Sequence, residues 1–133
     1  MCSSDLPHAV ARLAHLGEVA LAATPPTVMP ERDEHGLWNV PASAAFLPNH
    51  GIRQAIPIAR RVDRCRAGLA AAVREGRIFH LYTHPINLAT TPDAMLAGFG
   101  LVLEEVARRR DAGQLEVLTM DEVATRAGAW AAA

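Results

Sequence analysis

A chain of 133 residues, half of them hydrophobic, can build one modest core and no more. Its 13 basic and 14 acidic residues leave a formal charge of −1, which gives no field for holding nucleic acid or an anionic membrane. No run reaches the roughly 18 apolar residues of a membrane span, and the first residues lack the basic start and apolar centre of a signal peptide, so location is open with the cytoplasm as default.

The chain opens with a helix pattern, in which Ser4 or Asp5 caps, Pro7 suits a first turn, and Val10, Leu13 and Leu16 form a stripe ending at Gly17. Met1–Leu6 has a second reading. From a GTG start it back-translates into a string resembling the end of a sequencing adapter, and on that reading these six residues are an artefact and the gene is truncated upstream. Residues 18–36 contain Pro25, Pro26 and Pro30 and read as a connection. Leu37–Ser43 alternates weakly around Pro41 and reads as a short or edge strand, with Trp38 as a packing indole. Pro48, Asn49 and Gly51 then give turn chemistry around a solvated His50.

From Ile56 to Glu75 the residues Ile58, Val62, Cys65, Leu69 and Val73 fall on one helical face. Arg60, Arg61, Arg64, Arg66 and Arg74 are expected mostly on the solvated face, and Gly76 stops the helix. Two cysteines, Cys2 and Cys65, are too few for a disulfide framework or a zinc cluster, and Cys65 reads as a reduced core thiol.

The stretch Arg77–Leu88, RIFHLYTHPINL, organises the rest. Its apolar run Ile78–Tyr82 lies between Gly76 and Pro85 and predicts a buried strand, with His80, Tyr82 and His84 on one face. An imidazole at the mouth of a buried strand needs a partner or a task. Thr91 is then expected to cap a helix with Pro92 in its first turn, running to about Ala112, with Met95, Phe99, Leu103 and Val106 as its core face and Arg108–Arg110 in its last turns. Gln114–Leu118 predicts a further short strand, and Thr119 with Glu122 a capping box for a final helix. About three strands alternating with four helices predict an α/β fold with a mainly parallel sheet. So few strands would leave edges and helix faces uncovered, so residues 1–133 are expected to be a single, partial domain prone to self-association.

IFHLYTHPINL, the helix LAGFGLVLEEVARRRDAG, and LEVLTMDEVA together resemble the C-terminal end of bacterial polysaccharide deacetylases, the chitin-deacetylase-like carbohydrate esterases; LWNVPAS, FLPNHGIRQ and the helix before Arg77 are similar to the stretch preceding that end. The resemblance spans most of residues 36–124. It implies the C-terminal portion of a distorted (β/α) barrel in which Leu81, Tyr82, Thr83 and His84 supply the final Leu-x-x-His motif. By the same resemblance His84 protonates the leaving amine of an N-acetylated saccharide, Leu81 helps line the pocket for the acetyl methyl, an Asp acts as base, and a divalent metal, usually zinc, polarises water and the acetamide; His80, on the strand face of His84, is a further substrate-binding candidate. The family's Asp-Asp and His-x-x-x-His motifs are absent in a suitable context, so the full-length parent is expected to hold the metal and the base, and this chain to bind no metal and be inactive alone. Two alternatives stay open: a related amidohydrolase of the same barrel type cleaving C–N bonds, and a non-enzymatic interaction module in which His80 and His84 are structural.

Overall fold

A computed structural model describes residues 23–130. The helix expected near the start and the alternative reading of Met1–Leu6 lie outside them. The strands come as two short pairs. β1 (Glu31–Arg32) and β2 (Trp38–Asn39) are antiparallel, with Glu31 opposite Asn39 and Arg32 opposite Trp38. Asp33 closes their turn because its Oδ1 accepts the amides of His35 (2.9 Å) and Leu37 (2.8 Å), while Gly36 takes φ 82°. Trp38 is half-buried, with the Arg32 guanidinium 5.8 Å from its ring centroid.

β3 (Ala44–Ala45) and β4 (Leu81–Tyr82) are parallel, and the helix α1 (Ile58–Glu75) lies between them in sequence. This is a β–α–β unit, reached from β3 through a 3-10 turn at Gly51–Ala55. Two short amides extend the pairing: Ser43 donates to the His80 carbonyl (2.8 Å) and Phe46 to that of Tyr82 (3.0 Å). α1 ends as expected, with Gly76 left-handed at φ 62° and its amide returning to Ala72. After β4 come the single-turn α2 (Pro85–Leu88), the long α3 (Pro92–Asp111) and α4 (Met120–Trp130).

The core has two parts. Phe46, Val62, Cys65, Met95 and Val102 form the first, where α1 packs on α3, and Phe46 meets Phe99 edge-on at 5.4 Å. Val28, Val40 and Val123 form the second, joined by Ile78, Leu118 and Trp130. Val28 and Ile78 exchange both backbone bonds (2.9 and 3.0 Å), which fastens the Pro-rich connection to the chain leading into β4. The fold is thus mixed α/β; no closed barrel forms among the described residues, and none of their helices is long and apolar enough to cross a membrane.

Four expectations are corrected. Gln114–Leu118 is unpaired coil, because no neighbouring strand offers its edge. Of the strand expected at Ile78–Tyr82, only Leu81–Tyr82 is laddered; Ile78 makes an isolated bridge on the other side, and Tyr82 is 42 % exposed. The buried face of α3 is Met95, Gly98 and Val102, with Leu103 52 % exposed, because Gly98 lets Ile58 of α1 approach closely and turns the seam towards Val102. Arg61 and Arg64 are buried at 5 % and 6 % exposure, since Gly68, Ala71 and Ala72 widen the covered face of α1 beyond its aliphatic stripe.

Candidate functional site

The site is assembled where β4 stops. Pro85 has no amide to extend a ladder, and its ring holds the residue before it in extended backbone, which His84 adopts at φ −93° and ψ 146°. The carbonyl of His84 accepts the Asn87 amide at 2.8 Å, so the residue caps α2 through its backbone while its ring stays exposed. A single carbonyl secures the flanks: Phe46 O, at the end of β3, accepts the Thr83 hydroxyl at 3.0 Å and the buried Asn87 amide at 3.3 Å. His84 is therefore held at the carboxyl end of a parallel pair, with its ring edge-on to Tyr82 at 5.4 Å and 82°. An imidazole so placed can give or take a proton.

The other two predicted site residues part company with it. Leu81 turns inward against the Phe46 cluster, because the alternation of β4 sends it to the face opposite His84. His80 is partly buried, and its Nδ1 lies 3.1 Å from the carbonyls of both Val40 and Pro41. Two acceptors at that nitrogen require it to carry the proton, so His80 donates to the segment before β3. Its own amide also donates to Ser43 Oγ, at 3.1 Å. His35 and His50 are exposed, the first 3.6 Å from Glu34.

A divalent metal does not fit these residues. Among the described residues no three His, Cys, Asp or Glu side chains gather, and His80 is committed to carbonyls. Cys65 is unsuited to chemistry, since burial pushes its thiol up to about 11. An open groove of about 610 Å³ beside Gln114–Leu118 is lined by none of the residues around His84.

Sequence reasoning overlooked a polar network next to this site. Arg61 donates from Nη2 to the Arg53 carbonyl (2.8 Å) and from Nη1 and Nη2 to Asn49 Oδ1 (3.4 and 3.3 Å). Asn49 in turn donates its amide to Thr90 Oγ1 (2.9 Å) and its side chain to Thr91 Oγ1 (3.2 Å). The loop after β3 is thereby tied to the loop after α2, on either side of His84 in the fold's connectivity. One signal was present: residues 35–62 contain three arginines and no acid. No family model, no curated protein and no solved structure matches the chain.

Proposed function

We propose that this chain is the C-terminal part of a metal-dependent polysaccharide deacetylase that hydrolyses N-acetyl groups of amino sugars, and that it contributes the last β–α segment of a distorted barrel. The observation that carries the reading is the position of His84. It closes a Leu-x-x-His motif at the carboxyl end of a parallel strand, the end at which β/α folds hold their chemistry. An exposed imidazole fixed on both flanks through Phe46 O is suited to protonating a leaving amine. The metal and the Asp base implied by the resemblance would belong to residues of the parent other than those described, and the chain alone would be inactive.

The test begins with the source DNA, read upstream of this gene for a frame encoding Asp-Asp and His-x-x-x-His motifs. In the product of such a frame, His84→Ala lowers turnover of an N-acetylated amino sugar by about 10²–10⁴ and leaves metal content unchanged. Unaltered turnover removes His84 from the chemistry. Turnover only of a small ureide would assign the amidohydrolase reading instead.

A second reading, an interaction module without catalysis, draws on His80 being held by Val40 and Pro41 and on the exposed Leu96 and Leu103 of α3. Those leucines would also support self-association. Absence of any upstream frame with the missing motifs favours this reading.

A further inference from the structure

Arg61 is 5 % exposed, yet every acceptor it reaches is neutral: Asn49 Oδ1, the Arg53 carbonyl and, at 3.7 Å, Met95 Sδ. Beside it stands Arg53, partly buried, whose Nε is enclosed and has no hydrogen-bond partner. No carboxylate lies within ion-pair distance of either guanidinium among the described residues. Burial and the neighbouring Arg53 both press the Arg61 pKa down, the burial more strongly.

Two like charges in a partly desolvated place, one with an unused donor, leave a positive field that no carboxylate among the described residues offsets. Buried cations are ordinarily paired with an anion. Arg53 stands on the loop after β3, which Asn49 ties to Thr90 and Thr91 in the loop beyond His84, while Arg61 reaches it from the first turn of α1.

We propose that Arg53, backed by Arg61, is a binding site for an oxyanion, a carboxylate or phosphate group of a ligand arriving at the carboxyl end of the β3–β4 pair. Arg53 meets the ligand. Arg61 is walled in, since the adjoining cavity, bounded by Ala44, Leu47 and Cys65, measures about 10 Å³ and has room for one water at most. Its share is charge from beneath, and through Asn49 it fixes the loop on which Arg53 stands. The enclosed Nε cannot reach a ligand, so the contact falls to the two Nη groups of Arg53, which can give a carboxylate or phosphate two parallel bonds as a lysine cannot. If the deacetylase reading holds, the anion would belong to an acidic saccharide; the site rests on the guanidinium geometry alone, and its test needs no turnover.

The test uses the full 133-residue chain. Inorganic phosphate and, separately, glucuronate are titrated at constant ionic strength, with the Arg53 Nε–H NMR resonance and the melting temperature as readouts. The expected result is a saturable shift of that resonance and a rise in melting temperature. A response to phosphate alone assigns a phosphate site, to glucuronate alone a carboxylate site, and to both a general oxyanion site. Arg53→Gln weakens binding by about tenfold or more. Arg53→Lys falls between it and the wild type. Without ligand, Arg53→Gln melts no lower than the wild type, because one of two repelling charges is gone. Absence of a saturable change with both anions overturns the proposal, as does undiminished binding by Arg53→Gln. So does a ligand-free Arg53→Gln that melts several degrees lower, which would make Arg53 a structural residue.

Discussion

The seam between α1 and α3 supports the whole β–α–β unit, and two glycines of α3 allow its tightness to be measured. A methyl added at Gly98 would overlap Ile58 Cγ2 and stand 3.6 Å from Phe46 Cζ and 3.7 Å from Val62 Cγ2. A methyl at Gly100 would meet no heavy atom within 4 Å. Both substitutions gain about 1 kcal/mol from helix propensity. At Gly98 the overlap opposes that gain, because Cγ2 of a β-branched residue sits close to the backbone and cannot swing aside. Overpacking of this kind costs about 1–3 kcal/mol. Gly100→Ala should therefore stabilise by about 1 kcal/mol, whereas Gly98→Ala should range from neutral to about 2 kcal/mol destabilising. Urea unfolding followed by circular dichroism would separate the two midpoints by about 0.5–2 M. Removing the obstacle provides the control, since in an Ile58→Ala background Gly98→Ala should recover most of the Gly100→Ala gain. If Gly98→Ala stabilises the unaltered chain as much as Gly100→Ala does, the close α1–α3 approach is wrong, and with it the reason Val102 faces inward.

Cys65 is 3 % exposed with its thiol held up to about 11, so in a Cys2→Ser chain it should resist a thiol reagent in the native state and react fully in denaturant. Rapid native labelling would show that the first core opens. Arg108 and Arg109 each bond the Glu105 carboxylate at 2.6 Å and hold it down at about 2, below its ordinary 4.5. A depressed carboxyl pKa stabilises the fold above the unfolded value and loses that contribution as pH falls from 4.5 towards 2. The stability gap between the wild type and Glu105→Gln should thus be constant near neutrality and narrow in acid; a gap that widens in acid would contradict the pairing. Thr119 and Glu122 make reciprocal bonds at the start of α4, Thr119 N to Glu122 Oε2 at 2.7 Å and Glu122 N to Thr119 Oγ1 at 3.3 Å. Thr119→Ala should cost about 1 kcal/mol in urea unfolding, and an unchanged midpoint would mean that α4 starts without this cap.

Around His84 the sequence was informative because the governing rules are local. Pro85 cannot continue a ladder, so the end of β4 and the extended backbone of His84 follow from two adjacent residues. What faces His84 was not legible in the same way. The period of a strand places Leu81 opposite it, yet only the packing of Leu81 into the Phe46 cluster, and of His80 onto Val40 and Pro41, shows that neither shares its surface. Asn87 and Asn49 carried no signal, because a lone asparagine reads as turn chemistry until its partners, 41 and 42 residues away for three of these bonds, are in place.

The sequence by itself determined the three longer helices and three of their ends, Gly76 closing α1, Pro92 opening α3, and Thr119 with Glu122 opening α4, whereas the single turn α2 lies where the sequence reads as a loop. Those features depend on backbone geometry and hydrogen bonds within a turn or two, which neighbouring residues specify. Thr91 marks the limit of that rule, since it stands at the N-cap of α3 without a side-chain cap bond, and its hydroxyl accepts from Asn49 instead. Tertiary structure decided which short strands pair, why Gln114–Leu118 finds no partner, which way α3 turns, and that Arg61 and Arg64 lie inside. A two-residue strand has too little pattern to name its partner, and the covered width of a helix depends on how closely its neighbour approaches. Here that distance is set by Gly98 against Ile58, a contact between residues far apart in the chain.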